Sequence, residues 1–366
     1  MFGVNQTNGT GPIPPTCDDP VETENLVLTI YFVIIILLTV FGNLLVIAVV
    51  FAYDRLHRIT NYFIVSLAAA DLLYAALGLP FRIHQTIHNN IWCLNVVTCG
   101  VWLVVDGICS TASMCNLAAI SIDRLIAIHS PFKYAELVSQ TTMSIMLSVV
   151  WAYSLLWGFL YLPNWTHAGK EHVMITREGQ LTGCWNDDPI YITCAAVFAF
   201  FVPLLVIITA YSVIFKIAIT QAKAVAALDP NRNRRKRTTF FREVKATKTI
   251  AMVIGAFVVS WLPLFIILLV SLWDAENTKT FFVNHPKAGK AVSYIFIQIL
   301  PPLSSCVNPI IYCVFNSNFR SAFLKFLRIP HRAAREFETD HSTVTTSTGS
   351  PQRPSYSTMM TEKSTS

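Results

Sequence analysis

Apolar residues gather into seven long runs separated by short polar stretches. The runs are approximately Leu26–Tyr53, Tyr62–Ile87, Val96–Ile128, Met143–Leu162, Ile190–Ile219, Thr249–Trp273 and Ala291–Phe315. A helix rises about 1.5 Å per residue and needs roughly 20 apolar residues to cross a bilayer, so each run is long enough to span. A membrane β-barrel would show weak alternating segments instead. Backbone groups in hydrocarbon must satisfy their own hydrogen bonds, which leaves helices. The pattern therefore predicts an all-α membrane protein, a seven-helix bundle. No internal repeat is present, which argues against many transporter folds.

Composition agrees. Of 366 residues, 54% are hydrophobic and 13% charged, about half the charge of a soluble domain. The placement of Lys and Arg predicts orientation. The first 25 residues contain none, only Asp18, Asp19, Glu22 and Glu24. The connection between runs five and six carries Arg232, Arg234, Arg235, Lys236, Arg237 and Arg242, and Arg320, Lys325 and Arg328 follow run seven. The N-terminus is expected outside and the C-terminus inside, in the plasma membrane. No cleavable leader is read before Leu26, because that stretch has no apolar core. The net charge of +6 sits on the inner side, where it suits anionic lipid headgroups rather than nucleic acid.

The expected domains are an outer segment 1–25, the spanning domain 26–315, an amphipathic interfacial helix 316–329 and a disordered tail 330–366. Phe319 and Phe323 share one face of that helix, with Arg320 off it. The tail is rich in Ser and Thr, which suits phosphorylation. Sequons at Asn5, Asn8 and Asn164 fall in predicted outer segments and are expected to carry glycans. Cys99 and Cys184 face the oxidising side and are expected to pair; Cys17 and Cys93 lie on the same side and leave a second bridge open.

Run three carries two ionisable sites. Asp106 lies eighteen residues before Arg124, on the order of 27 Å along a helix, with Asp123 beside the Arg. Ionisable groups within a span are functional candidates by default. Asp106 lies about 10 Å inside the outer end of its helix. Its carboxylate wants a cation, either Arg82 or Lys290 from the chain itself, or a protonated amine from outside. Asp71 in run two is a second buried acid, with Asn43, Ser113, Ser304, Ser305 and Asn308 at matching depth. His84 and His88, four apart at the outer end of run two, share a helical face; that spacing could clamp a metal ion, but no third ligand is evident, and they are read as two solvated outer histidines. No catalytic constellation is present, and no enzyme activity is expected.

One further pattern runs through every span. Gly42-Asn43, Ser66-Leu-Ala-Ala-Ala-Asp71, Asp123-Arg124-Leu125, Trp151, Pro203 with Tyr211, Phe257-Val-Val-Ser-Trp261-Leu-Pro263 and Asn308-Pro309-Ile-Ile-Tyr312 occur in order, one set per run. Together they resemble the class A (rhodopsin-like) G-protein-coupled receptors over roughly residues 25–329. The stretch from Asp106 to Arg124 is similar to the third span of biogenic-amine receptors, where the Asp is the amine counter-ion. The resemblance implies a ligand site of Asp106, Ser110, Trp261, Leu264, Phe265 and Gln298. It also implies no cofactor except an allosteric sodium ion at Asp71, Ser113, Ser304 and Asn308. A cytoplasmic switch would comprise Asp123, Arg124, Glu243, Tyr211 and Tyr312, with Phe132 as an anchor for a heterotrimeric G protein. Arrestin and receptor kinases are implied partners of the tail. Ser130-Pro131-Phe132-Lys133-Tyr134 resembles the second inner loop of β-adrenergic receptors, which implies the stimulatory G protein and cyclic AMP.

Departures narrow the ligand. Positions eight, seven and four before Pro203, where amine receptors carry hydroxyls, are Ala195, Ala196 and Ala199. The aromatics that close over the amine in span seven align with Ile299 and Pro302, and the Tyr usual after Asp-Arg is Leu125. A simpler or unusual amine is therefore expected rather than a standard catecholamine. The alternatives are a nucleoside or peptide ligand, since Asn61–Asp71 also resembles adenosine receptors, or constitutive activity. A retinal Schiff base is excluded because the position of its Lys is Pro302. A transporter or channel lacks a polar path.

Overall fold

The computed structural model describes residues 16–130, 133–162, 176–177, 180–181, 183–184, 188–226 and 234–329. The sequons Asn5, Asn8 and Asn164, Phe132 and the Ser/Thr-rich tail lie outside them, as does the side chain of Glu243. Seven helices are long and apolar enough to cross a membrane: Thr23–Ala52, Ile59–Ile87, Val96–His129, Gln140–Phe159, Pro189–Thr220, Thr247–Trp273 and Pro286–Phe315, called spans one to seven below. The fold is a seven-helix bundle. Its β structure among the described residues is one two-stranded hairpin, pairing Thr176–Arg177 with Gln180–Leu181. Span six continues a helix that begins at Arg234. Span seven starts at Pro286, five residues earlier than its apolar run, because Lys287 and Lys290 interrupt the hydropathy but not the helix.

Apolar side chains cover the outside of this bundle. Leu37, Phe41, Leu205 and Val259 are each more than 60% exposed. Such a belt is costly in water and at home against lipid. Lipid removes most of the hydrophobic drive between helices, so close packing and polar contacts hold them. A Cβ added at Gly42 would lie 2.8 Å from Pro309 Cγ, which brings spans one and seven into near backbone contact; one added at Gly158 would meet the Val104 carbonyl at 3.0 Å, between spans four and three. Asn43 donates to the Ser305 carbonyl at 3.1 Å, and Trp151 Nε1 to Ser66 Oγ at 3.1 Å.

The Pro309 ring cannot yield as a flexible side chain would. Gly42→Val is therefore expected to destabilise by about 1–3 kcal/mol, read as a lower midpoint of thermal unfolding in detergent. Gly255 has open space around its Cα, so Gly255→Ala is expected to leave that midpoint unchanged or raise it.

Three spans widen into π-helix at Tyr74–Gly78, Ala195–Phe201 and Ser293–Ile299. Each widened turn ends two residues before a proline: Pro80, Pro203 and Pro301. A proline lacks its N–H and its ring crowds the carbonyl four residues back, so the preceding turn opens. At the end of the third widened turn Tyr31 reaches across the bundle and donates its hydroxyl to the Ile299 carbonyl at 2.7 Å.

After span seven comes the helix Ser317–Phe326, capped by the Asn316 side chain. Part of its apolar face packs inward, while Phe326 and Leu327 stay 45% and 41% exposed. Phe319 is 1% exposed and stacks on Tyr312 with centroids 5.4 Å apart, and Phe323 is buried beside it.

Two disulfides tie one end of the bundle. Cys99, at the start of span three, joins Cys184, and Cys17 joins Cys93. The second bridge docks residues 16–22 on the connection between spans two and three. There Asn89 accepts from the Glu22 amide at 3.0 Å and donates to the Pro20 carbonyl at 3.1 Å. Asn89 and Asn90 hold φ of 56° and 65°, a region asparagine tolerates better than most residues.

Candidate functional site

Span three runs unbroken from Val96 to His129 and places Asp106 toward the disulfide end. Asp106 is half-buried. Among the described residues its carboxylate makes no hydrogen bond or ion pair. Arg82 of span two is its cationic neighbour at Coulombic range. That guanidinium is engaged elsewhere: Nη1 donates to Gln298 Oε1 of span seven at 2.9 Å, and the group lies 5.7 Å from the Trp102 ring centre. Lys290, the other cation considered from sequence, pairs with Glu24, whose carboxylate also accepts from the Tyr294 hydroxyl at 3.2 Å. Gln298 thus reaches the region as the partner of Arg82 rather than as a free amide. Ser110 spends its hydroxyl on the Asp106 carbonyl at 2.6 Å.

The aromatic floor forms one stacked series. Phe265 lies on Phe200 at 4.4 Å, and Trp261 stacks between Phe265 at 6.3 Å and Phe257 at 5.7 Å. Leu264 packs on the same core cluster. Trp261 Nε1 donates to Ser304 Oγ at 3.1 Å, and Ser304 donates to the Pro301 carbonyl at 2.7 Å. The Trp ring is therefore tied to the turn that Pro301 distorts. Of Ala195, Ala196 and Ala199 in span five, the last two are buried.

Below the Trp lies a small cavity of about 10 Å³, lined by Ser113, Trp261, Ser304 and Ser305 among others. Asp71, 2% exposed, adjoins this region. Its Oδ2 accepts from Asn308 Nδ2 at 2.9 Å, and the Ser305 side chain also bonds it. Ser113 makes no hydrogen bond to Asp71.

At the opposite end, Asp123 and Arg124 are both buried. Arg124 reaches Asp123 Oδ2 through Nη2 at 2.7 Å and Nε at 3.0 Å. Two further residues, without a sequence-derived role, complete the cluster. Thr60, at the foot of span two, donates to Asp123 Oδ2 at 2.5 Å and contacts Arg124 Nη2. Tyr134 donates to Asp123 Oδ1 at 2.7 Å. Burial, and then the Asp123 charge, push the Tyr134 phenol up to about 12, so it remains a donor at neutral pH. Tyr211 is half-buried, with its hydroxyl buried and without a hydrogen-bond partner, and Tyr312 is buried and stacks on Phe319. A cavity of about 90 Å³ opens here, lined by Arg55, Arg58, Asn61, Arg124, Tyr312 and Asn316 among others. A cleft of about 280 Å³ lies between spans three, five and six, with Ile128, Tyr211 and Phe215 on its walls.

Residues 42–312 match the family described as 7 transmembrane receptor (rhodopsin family). The chain belongs to this family. This receptor is 31% identical over 358 residues to the alpha-1A adrenergic receptor of Bos taurus, covering 89% of the present chain and 72% of that relative. It is 32% identical over 323 residues to the D(1B) dopamine receptor of Xenopus laevis, covering 81% and 69%. With the D(1)-like dopamine receptor of Oreochromis mossambicus, identity is 32% over 312 residues, covering 80% and 76%. These relatives are biogenic-amine receptors of class A. The present receptor is accordingly a multi-pass plasma-membrane protein that signals rather than catalyses, and its family works through a small-molecule ligand and a G protein.

Proposed function

We propose that this receptor binds a cationic small molecule, a biogenic amine, through Asp106 and activates a heterotrimeric G protein, the stimulatory one that raises cyclic AMP. One observation carries the ligand half: Asp106 has no direct partner among the described residues, while Arg82 and Lys290 are engaged elsewhere. A half-buried carboxylate in that state is completed by a charge-assisted hydrogen bond from a protonated amine. The similarity to adrenergic and dopamine receptors favours the same ligand class. Ala195, Ala196 and Ala199 offer no hydroxyl to a catechol, which favours a simpler amine.

In this reading the disulfide end and the N-terminus face outward. The amine meets Asp106, with Ser110, Leu264, Phe265 and the Arg82–Gln298 pair around it. Trp261 relays its arrival through Ser304 to the distorted turn of span seven. Asp71, Ser113, Ser304, Ser305 and Asn308 supply the oxygen ligands that a hard monovalent cation takes, so sodium suits the cavity beneath. At the inner end Arg124 leaves Asp123 as span six moves, Glu243 lies on the helix that moves, and the opened cleft receives the G protein, with Phe132 as an anchor. The tail serves receptor kinases and arrestin, and the inner basic residues meet anionic lipids.

The experiment is an amine panel, with adenosine and peptide mixtures as controls, applied to cells expressing the receptor. Cyclic AMP is expected to rise with one or more amines. A response to adenosine or peptides and to no amine would overturn the ligand assignment. An amine response through another second messenger would overturn only the choice of G protein.

A further inference from the structure

The disulfide end of span two holds a cluster that neither ligand binding nor switching uses. His84 lies in the last turns of the helix Leu79–Ile87, and His88 caps its C-terminus. Four residues apart on a helix, they share a face, and their ring centres lie 4.4 Å apart. One ring nitrogen of each lies within 4.8 Å of the other and of Cys93 Sγ.

The state of each ring points to a ligand. His88 Nδ1 is 2.7 Å from the His84 carbonyl oxygen. A carbonyl only accepts, so Nδ1 carries the proton and a neutral ring keeps its lone pair on Nε2. Metal-binding imidazoles are held this way, with one nitrogen tied to a carbonyl and the other turned to the ion. His84 Nε2 is buried without a hydrogen-bond partner, a state that costs free energy unless a ligand completes it. The edge-on Trp92 ring, 5.8 Å away, flanks it. Cys93 is bridged to Cys17, and only a thiolate sulfur is a good ligand. While the bridge stands, the set is two imidazoles completed by water. No carboxylate among the described residues joins the cluster, which disfavours Ca²⁺ and Mg²⁺ and suits a borderline ion.

We propose that His84 and His88 form a Zn²⁺ site at the disulfide end of span two. It adjoins the ligand region, because Trp92 stacks on Trp102 with centroids 5.3 Å apart and Arg82 lies over the other ring.

The test uses the oxidised full-length receptor in detergent, titrated with ZnCl₂ against a chromogenic zinc indicator, with thermal unfolding followed in parallel. Wild type is expected to bind about one equivalent that Ca²⁺ does not displace, and to unfold at a higher temperature when loaded. His84→Ala and His88→Asn are each expected to weaken binding at least about tenfold, and His285→Ala to leave it unchanged. Unfolding without metal shows which variants are folded. If His84→Ala, which removes a ring packed against Trp92, fails to fold, His88→Asn decides. No binding by wild type, or equal affinity in wild type and the folded variants, would overturn the site.

Discussion

Asp106→Asn is expected to lower the potency of any activating amine about 100-fold, with the protein still reaching the cell surface. Asparagine keeps the size and much of the hydrogen-bonding capacity but removes the charge. Losing one partner of a desolvated charge pair costs roughly 2–5 kcal/mol, and each 1.4 kcal/mol is a factor of ten. The effect is large because nothing in the described protein replaces the carboxylate. Arg82 is the near cation, and without Asp106 its charge would repel an ammonium group. Arg82→Gln is the informative companion: it removes that repulsion, and amine potency is expected to hold or rise. Concentration–response curves with surface expression measured in parallel check both, and an Asp106→Asn receptor of unchanged potency would sink the counter-ion assignment.

Tyr134→Phe is expected to raise basal signalling about fivefold, and Asp123→Asn to raise it further. Asp123 holds Arg124 inward, and the acid is itself held by Thr60 at 2.5 Å and Tyr134 at 2.7 Å. A hydrogen bond to a charged group contributes about 1.5–3 kcal/mol, and about 1 kcal/mol of lost bias shifts a two-state population fivefold. The phenol stays protonated across the physiological range, because burial and the neighbouring acid push it up to about 12. The increase is therefore expected to be the same at pH 6.5 and pH 8. Arg124→Ala is expected to abolish G-protein activation while ligand binding survives. Nucleotide exchange on a panel of purified G proteins, with no agonist added, measures the basal shift. Basal exchange unchanged in both Tyr134→Phe and Asp123→Asn would show that the cluster does not hold the resting state.

The spans were readable from the chain because lipid sets a length scale that apolar runs must meet. The start of span seven was hidden by Lys287 and Lys290, whose charges break hydropathy without breaking the helix. The widened turns left only prolines as a trace, and Pro263 and Pro309, which sit inside ordinary helix, look no different in sequence. Partner choice was the least readable feature. Arg82 and Lys290 were equivalent candidates for Asp106 until the fold gave one to Gln298 and the other to Glu24. Thr60 lies 63 positions from Asp123, and no periodicity connects them. The Cys17–Cys93 bridge was open for the same reason: only the docking of residues 16–22 on Asn89 brings those cysteines together. His84 read as a solvated outer residue, and its buried Nε2 is a property of the packed Trp92 surface.

If a cation meets Asp106, its charge matters only while the carboxylate is there. Equilibrium binding of an active amine and of its uncharged isostere to wild type and to Asp106→Asn, as a double-mutant cycle, reads this coupling. Wild type is expected to prefer the amine about 100-fold and the variant to show almost no preference, so the two losses do not add. Equal preference for the amine in both proteins would contradict it and place the cation elsewhere in the receptor.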